Sequence, residues 1–306
     1  MMSKVILYII VAFSFVTCNQ NKKENNSLNK KNMSNQISKT VTDYKQYPNY
    51  SIQVDKGGCR VKLIGNDVPL YNISSKGGFS SLIPFNLNIR KSGEQTLLLK
   101  IYPDQGKTTF DDYTRVSIQI IYFANDKDTN SPKIILQKFE IPKEVIEKKL
   151  PYFETVIKFI ASVPFNFNEN FEQSEDLTKI NDIKEKSILT YEKIRKWIEN
   201  KELENLSKYR RKSDIKYCSV FYIDDVKKIE EEFNYSFLFD DKKVLNPMPQ
   251  FDVVFYGNGK LVRLEKIDDS SEVITLTGKT DDGFEITSDL NVILHMPKGS
   301  KVLEQY

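Results

Sequence analysis

The sequence predicts a mainly β protein with an α+β second half. The expected order is an antiparallel β-sandwich, then helices laid on a curved antiparallel sheet. Three observations predict it. Between Tyr50 and Val163, short apolar runs alternate with polar residues at a period of two, and Gly, Asn and Asp turn signals separate them. From Ile180 to Ile198 the apolar residues fall at steps of three and four, which places one apolar stripe on a helix. After Phe251 the period of two returns and crosses Gly257-Asn258-Gly259, a hairpin signal.

The first segment is of a different kind. Lys4 precedes Val5–Val16, where Ser14 is the one clearly polar side chain. Twelve helical residues rise about 18 Å, well short of a hydrocarbon core of roughly 30 Å. Residues 1–17 are therefore expected to be an export signal and not a membrane span. The run ends in Phe15-Val16-Thr17-Cys18, which resembles the lipobox of bacterial lipoproteins, with Phe15 and Thr17 departing from its usual residues. The resemblance implies a diacylglyceryl group on the Cys18 thiol, loss of residues 1–17, and acylation of the new amino group by palmitate-like chains. One chain anchors only marginally, whereas two or three hold a protein on a membrane. The plainer alternative is an ordinary signal peptide with Cys18 incidental. Asn19 is not the Asp that resembles an inner-membrane retention signal, so within the cell envelope the outer membrane is favoured over the inner.

Residues 18–45 are expected to be a lipidated flexible tether. They are rich in Asn, Lys, Ser and Gln and hold no aromatic residue before Tyr44, so they cannot bury enough apolar surface to offset their ordering entropy. Residues 46–165 carry the strands of the sandwich. Ser51–Val54, Cys59–Ile64 and Val68–Tyr71 are separated by Lys56-Gly57-Gly58 and Gly65-Asn66-Asp67. Gly77-Gly78-Phe79-Ser80 is expected as a loop. Phe85, Leu87 and Ile89 alternate with Asn86, Asn88 and Arg90, a further strand, before Thr96–Tyr102, Tyr113–Phe123 and Lys133–Ile141. Pro142–Leu150 reads as a short helix and Tyr152–Val163 as a strand, because its β-branched residues alternate.

Residues 166–306 form the expected α+β domain. Phe165–Gln173 is a hinge, and Ser174-Glu175-Asp176 is positioned to cap the long helix. Two further helices are expected at Glu202–Lys212 and Asp214–Phe233. Strands follow at Phe251–Tyr256, Lys260–Glu265, Glu272–Thr277, Phe284–Thr287 and Leu290–Met296. This element order and the Tyr256–Val262 hairpin resemble the cone fold of nuclear transport factor 2-like proteins. That resemblance implies a pocket between sheet and helix, which some members use as isomerases or dehydratases and many only for binding or assembly.

The chain has 306 residues and a formal charge of +3. Residues 1–45 hold seven lysines against Glu24 and Asp43, so the remainder is close to neutral. A dedicated nucleic-acid binder needs a concentrated basic face, and none is expected as partner. Cys59 and Cys218 fall in different expected domains and are taken as buried thiols. His295 is the one histidine, which excludes a His-based metal cluster, and no cofactor is expected. Tyr191, Trp197 and His295 are the candidate pocket residues: in a cone pocket His295 would serve as a base, and the bland alternative is a structural or rim position. Tyr191 and Trp197 lie on the apolar stripe and are otherwise core anchors.

Ser213-Asp214-Ile215-Lys216 matches Ser-x-x-Lys, the nucleophile motif of penicillin-binding proteins, but Gly278-Lys279-Thr280 has the wrong order for their Lys-Thr-Gly. Gly278-Lys279-Thr280 is not a phosphate-binding loop either, since Val273 stands where Gly is required. The acid pairs, Asp240-Asp241 and Asp281-Asp282 among them, lack calcium-loop spacing and suit turns. No catalytic constellation is expected. The chain is expected to be a membrane-anchored, non-enzymatic binding or assembly module for a protein or glycan partner. The alternatives are a small-molecule enzyme using the second domain's pocket, or an immunity lipoprotein against an exported toxin.

Overall fold

A computed structural model describes residues 44–225, 235, 238, 242–280 and 282–306. Cys18, the leader and nearly all of the tether lie outside the described residues, as do residues 226–233 of the third expected helix and Asp240-Asp241. The described chain is mainly β, with antiparallel sheets and four α-helices among the described residues.

The first eight strands are β1 (Asn49–Gly57), β2 (Cys59–Gly65), β3 (Val68–Ile73), β4 (Phe79–Pro84), β5 (Gly93–Pro103), β6 (Arg115–Phe123), β7 (Lys133–Glu140) and β8 (Phe153–Ala161), with helix α1 (Lys143–Glu147) before β8. They make two antiparallel sheets, in the orders β4-β1-β6-β7 and β3-β2-β5-β8. Gly58, at φ +64°, carries the chain from β1 in one sheet to β2 in the other, and a Cβ there would lie 2.7 Å from the Tyr113 carbonyl oxygen. Alternate residues of both sheets enter one core: Ile52 and Val54 of β1, Leu97, Leu99 and Ile101 of β5, Ile118 and Ile120 of β6, Ile157 and Phe159 of β8. Asn66 and Asp67 both have positive φ between paired Gly65 and Val68, the backbone of a type I′ hairpin.

Two expectations fail in this half. The strand expected through Phe85, Leu87 and Ile89 is a 3₁₀ turn at Asn86–Asn88, and Phe79-Ser80, expected as loop, begins β4. The alternation was real, but two of its polar positions, Asn86 and Asn88, are buried along with Phe85 and Ile89. The Asn86 amide accepts from Tyr50 N and donates to the carbonyls of Pro48 and Val220, while Asn88 donates to the carbonyls of Gly65 and Val68. Side-chain amides that complete neighbouring backbone groups favour a turn over a ladder.

In the second half α2 (Asn168–Glu172) leads to a 3₁₀ turn at Leu177–Lys179, capped by Asp176, and then to α3 (Ile183–Glu199) and α4 (Leu203–Val220). The long helix therefore starts later than expected. Helix α4 also merges the two shorter helices expected at Glu202–Lys212 and from Asp214, since no Gly or Pro interrupts residues 203–220. The strands are β9 (Lys243–Leu245), β10 (Phe251–Tyr256), β11 (Leu261–Lys266), β12 (Thr275–Lys279), β13 (Glu285–Asp289), β14 (Leu294–His295) and β15 (Glu304–Gln305), in sheets β10-β11-β14-β15 and β13-β12-β9. Ile183, Tyr191, Ile194 and Ile198 of α3 pack with Val262, Leu264 and Leu294 in a second core.

Residues from both sides of position 165 share cores. Cys218, Val220 and Tyr222, at and beyond the end of α4, belong to the first core together with Cys59. Both thiols are buried, and neither is in a disulfide. A third cluster, holding Ile64 and Val68 with Phe171, Tyr256, Leu261 and Ile293, joins the halves. Asp67 completes the joint: its carbonyl accepts from Gly257 N and its carboxylate from Asn258 N, both at 2.8 Å.

Candidate functional site

Two of the cavities among the described residues have volumes of about 380 Å³ each. The first sits between β2–β3 and the strands β11 and β13, and two of its cations, Lys62 and Arg263, are ion-paired. Lys62 Nζ lies 2.6 Å from Glu265 Oε2, and the Tyr256 hydroxyl donates to Glu265 Oε1 at 2.6 Å. Arg263 Nη2 lies 2.9 Å from Glu272. Burial holds the Lys62 ammonium below its usual range, and burial followed by Glu272 raises the Asp289 carboxyl.

The second cavity is lined by Phe167, Asn170 and Gln173 around α2, by Lys212, Ser213, Ile215 and Lys216 of α4, by His295 and Gln305 of β14 and β15, and by Pro297 and Tyr306. A local pairing builds it. Ser174 bridges to Pro297, with Glu175 N donating to Met296 O and Lys298 N to Gln173 O. This brings the segment after α2 beside β14. Ser174 Oγ then lies 2.8 Å from His295 Nδ1 and 3.3 Å from the Asn170 carbonyl oxygen. With Nδ1 occupied by a serine that is 1 % exposed, Nε2 is the ring nitrogen left for the cavity. The hydroxyl serves either tautomer, donating to Nδ1 in one and to Asn170 O in the other. Burial lowers the His295 pKa to about 4, against the opposing pull of Glu304, so the ring is neutral at physiological pH.

Lys216 is the unusual member. Its ammonium stands 4.3 Å from the Tyr306 ring centroid and makes no ion pair among the described residues. Burial, and then the neighbouring Arg90, lower its pKa to about 8. Lys212, one turn earlier, is neutralised by Glu304 at 2.5 Å.

Of the three expected pocket residues, only His295 lines this cavity. Tyr191 is buried in the second core, where its hydroxyl donates to Val292 O and accepts from Leu264 N. Trp197 packs against Tyr209, ring centroids 5.5 Å apart, on the helical side of that core. The structure does bring Ser213 and Lys216 to one cavity. The Ser213 hydroxyl, however, donates to the Arg210 carbonyl at 2.8 Å, and no hydrogen bond joins it to Lys216. Mid-helix, the backbone N–H groups are already used, which leaves no local oxyanion hole. Among the described residues no group of three or more His, Cys, Asp and Glu side chains is placed to hold a metal. Nothing local in the sequence distinguishes Arg90, Gln305 and Tyr306, and Ser174 stands out there only as part of a helix cap. Comparison with protein families, with characterised proteins and with solved structures returns no match.

Proposed function

We propose that this chain is an exported, lipid-anchored binding protein of the bacterial cell envelope, held by acyl chains on Cys18, on the outer membrane in preference to the inner. Its two first sheets, sharing one core, fit a β-sandwich, and its helices on the β10-β11-β14-β15 sheet fit the cone of nuclear transport factor 2-like proteins. The observation that carries a binding role is the Lys216 cavity: a cation without an ion pair among the described residues, beside a neutral imidazole, with neither serine arranged for attack. Such a site holds a ligand more readily than it transforms one. The body around it is the module that meets a protein or glycan partner. The Ser174–His295 contact favours an enzyme, but Ser174 does not line the cavity.

The test is metabolic labelling with palmitate. Label is expected on the wild-type chain and absent from Cys18→Ser, which leaves the membrane fraction. Equal membrane retention of Cys18→Ser would overturn the anchor.

A further inference from the structure

The second cavity carries charge of one sign. Lys212 and Lys216 line it beside the neutral His295, and no Asp or Glu side chain does. Glu304 neutralises Lys212, but no acid answers Lys216 among the described residues. A second cation stands behind: Arg90 lies beside Tyr306 and 3.7 Å above the Phe171 ring, with Nη1 buried and without a hydrogen-bond partner among the described residues. Gln305, 5 % exposed, lines the cavity with an Oε1 that is likewise unpartnered. Asn170, Gln173 and Ser213 add neutral polar groups to the lining, and Phe167, Ile215, Pro297 and the face of Tyr306 make its apolar wall. A volume of about 380 Å³ suits a ligand at the small end of the usual range.

We propose that this cavity binds a small amphipathic carboxylate, its acid head on the Lys216 ammonium and His295 Nε2, its apolar body along Phe167, Ile215 and Pro297. The assignment rests on the reading that this cavity is the protein's ligand site. One unpaired ammonium matches one negative charge. A phosphate dianion would bring a second charge with no unpaired cation in the lining to meet it, and buried charge without a partner is costly. Gln305 is the place for a hydroxyl or amide N–H on the ligand's body.

The groups facing Lys216 are Arg90, Tyr306, His295, and Lys212 with its partner Glu304. His295 is neutral across the neutral range, so Lys216 is the group whose charge changes near pH 8. A carboxylate stabilises its protonated form. Binding therefore takes up a proton around pH 8 and weakens about tenfold between pH 7 and pH 9.

The experiment titrates the full-length chain carrying Cys18→Ser with hexanoate, hexanol, hexylammonium and inorganic phosphate. It reads heat and the ring resonances of His295. Hexanoate is expected to bind saturably and at least tenfold tighter than hexanol, with no binding of hexylammonium or phosphate. Lys216→Met should lose at least tenfold and Lys216→Arg should keep most of the affinity. The wild-type pH profile tests the same point without any substitution. Hexanol binding as well as hexanoate, phosphate competing with it, or a flat pH profile would sink the ligand class while leaving the cavity a binding site. If none of the four probes moves the His295 ring, the cavity is no ligand site and both readings fall.

Discussion

The two cavities have the same volume, about 380 Å³, and opposite electrostatic plans. In the cleft between the halves each buried ion meets its counter-ion: Lys62 with Glu265, Arg263 with Glu272. In the cavity at α4 the half-buried Lys216 meets an aromatic face and, among the described residues, no counter-ion. The contrast separates two uses of buried charge. A paired ion joins the parts that carry it and has little left to offer a ligand. An unpaired one weakens the fold slightly and is free to be completed from outside.

The largest effect that would break this contrast is expected in the cleft. Glu265 is 2 % exposed. Glu265→Ala leaves Lys62 without its counter-ion and the Tyr256 hydroxyl without its acceptor, and should cost about 3–5 kcal/mol in urea denaturation. Next comes Lys216→Met, expected to be neutral or stabilising by about 1 kcal/mol, because it removes a desolvated charge and keeps the volume. A loss as large as that of Glu265→Ala would show a hidden partner for Lys216 and end the distinction.

Stability against pH sharpens the comparison further. The His295 pKa is lowered, so between about pH 6.5 and 4 the unfolded chain binds the extra proton. Stability is then lost as pH falls through that window, and His295→Gln should flatten the loss. Lys216 is lowered too, from 10.5 to about 8. Between those values the unfolded chain again holds more protons, so this group's contribution rises with pH, and Lys216→Met should remove the rise. Asp214 runs the other way. Burial raises it to about 6 although the Tyr235 hydroxyl donates to it at 2.5 Å. Its contribution is present at low pH and lost as pH rises from about 4 through 6, and Asp214→Asn should abolish that slope in thermal melts. The smallest effect is expected from Lys212→Gln, within about 0.5 kcal/mol, because its pair with Glu304 is mostly exposed.

Much of the fold was legible along the chain. The strands at β1, β2, β5 and β6 follow their alternation, and the hairpins at Asn66-Asp67 and Gly257-Asn258-Gly259 follow their turn residues. Helix α3 keeps its apolar stripe, with Ile183, Tyr191, Ile194 and Ile198 buried. What misled was polarity taken as exposure. Asn86 and Asn88 are buried to complete backbone groups far away in sequence, and Cys218 sits in the core of the opposite half. Of the candidate site, His295 was visible only as a lone histidine and Lys216 only as the end of a Ser-x-x-Lys match.

By itself, the sequence determined periodicity and turn chemistry, because each depends on residues within a few positions of one another. The same local evidence supports the expectation of a short apolar leader ending at Cys18. Only the tertiary structure decided which charges are answered and which are not. Lys62 finds Glu265 across 203 positions and Ser174 finds His295 across 121. Whether a buried ion has a counter-ion depends on how distant segments pack, and no local pattern records it.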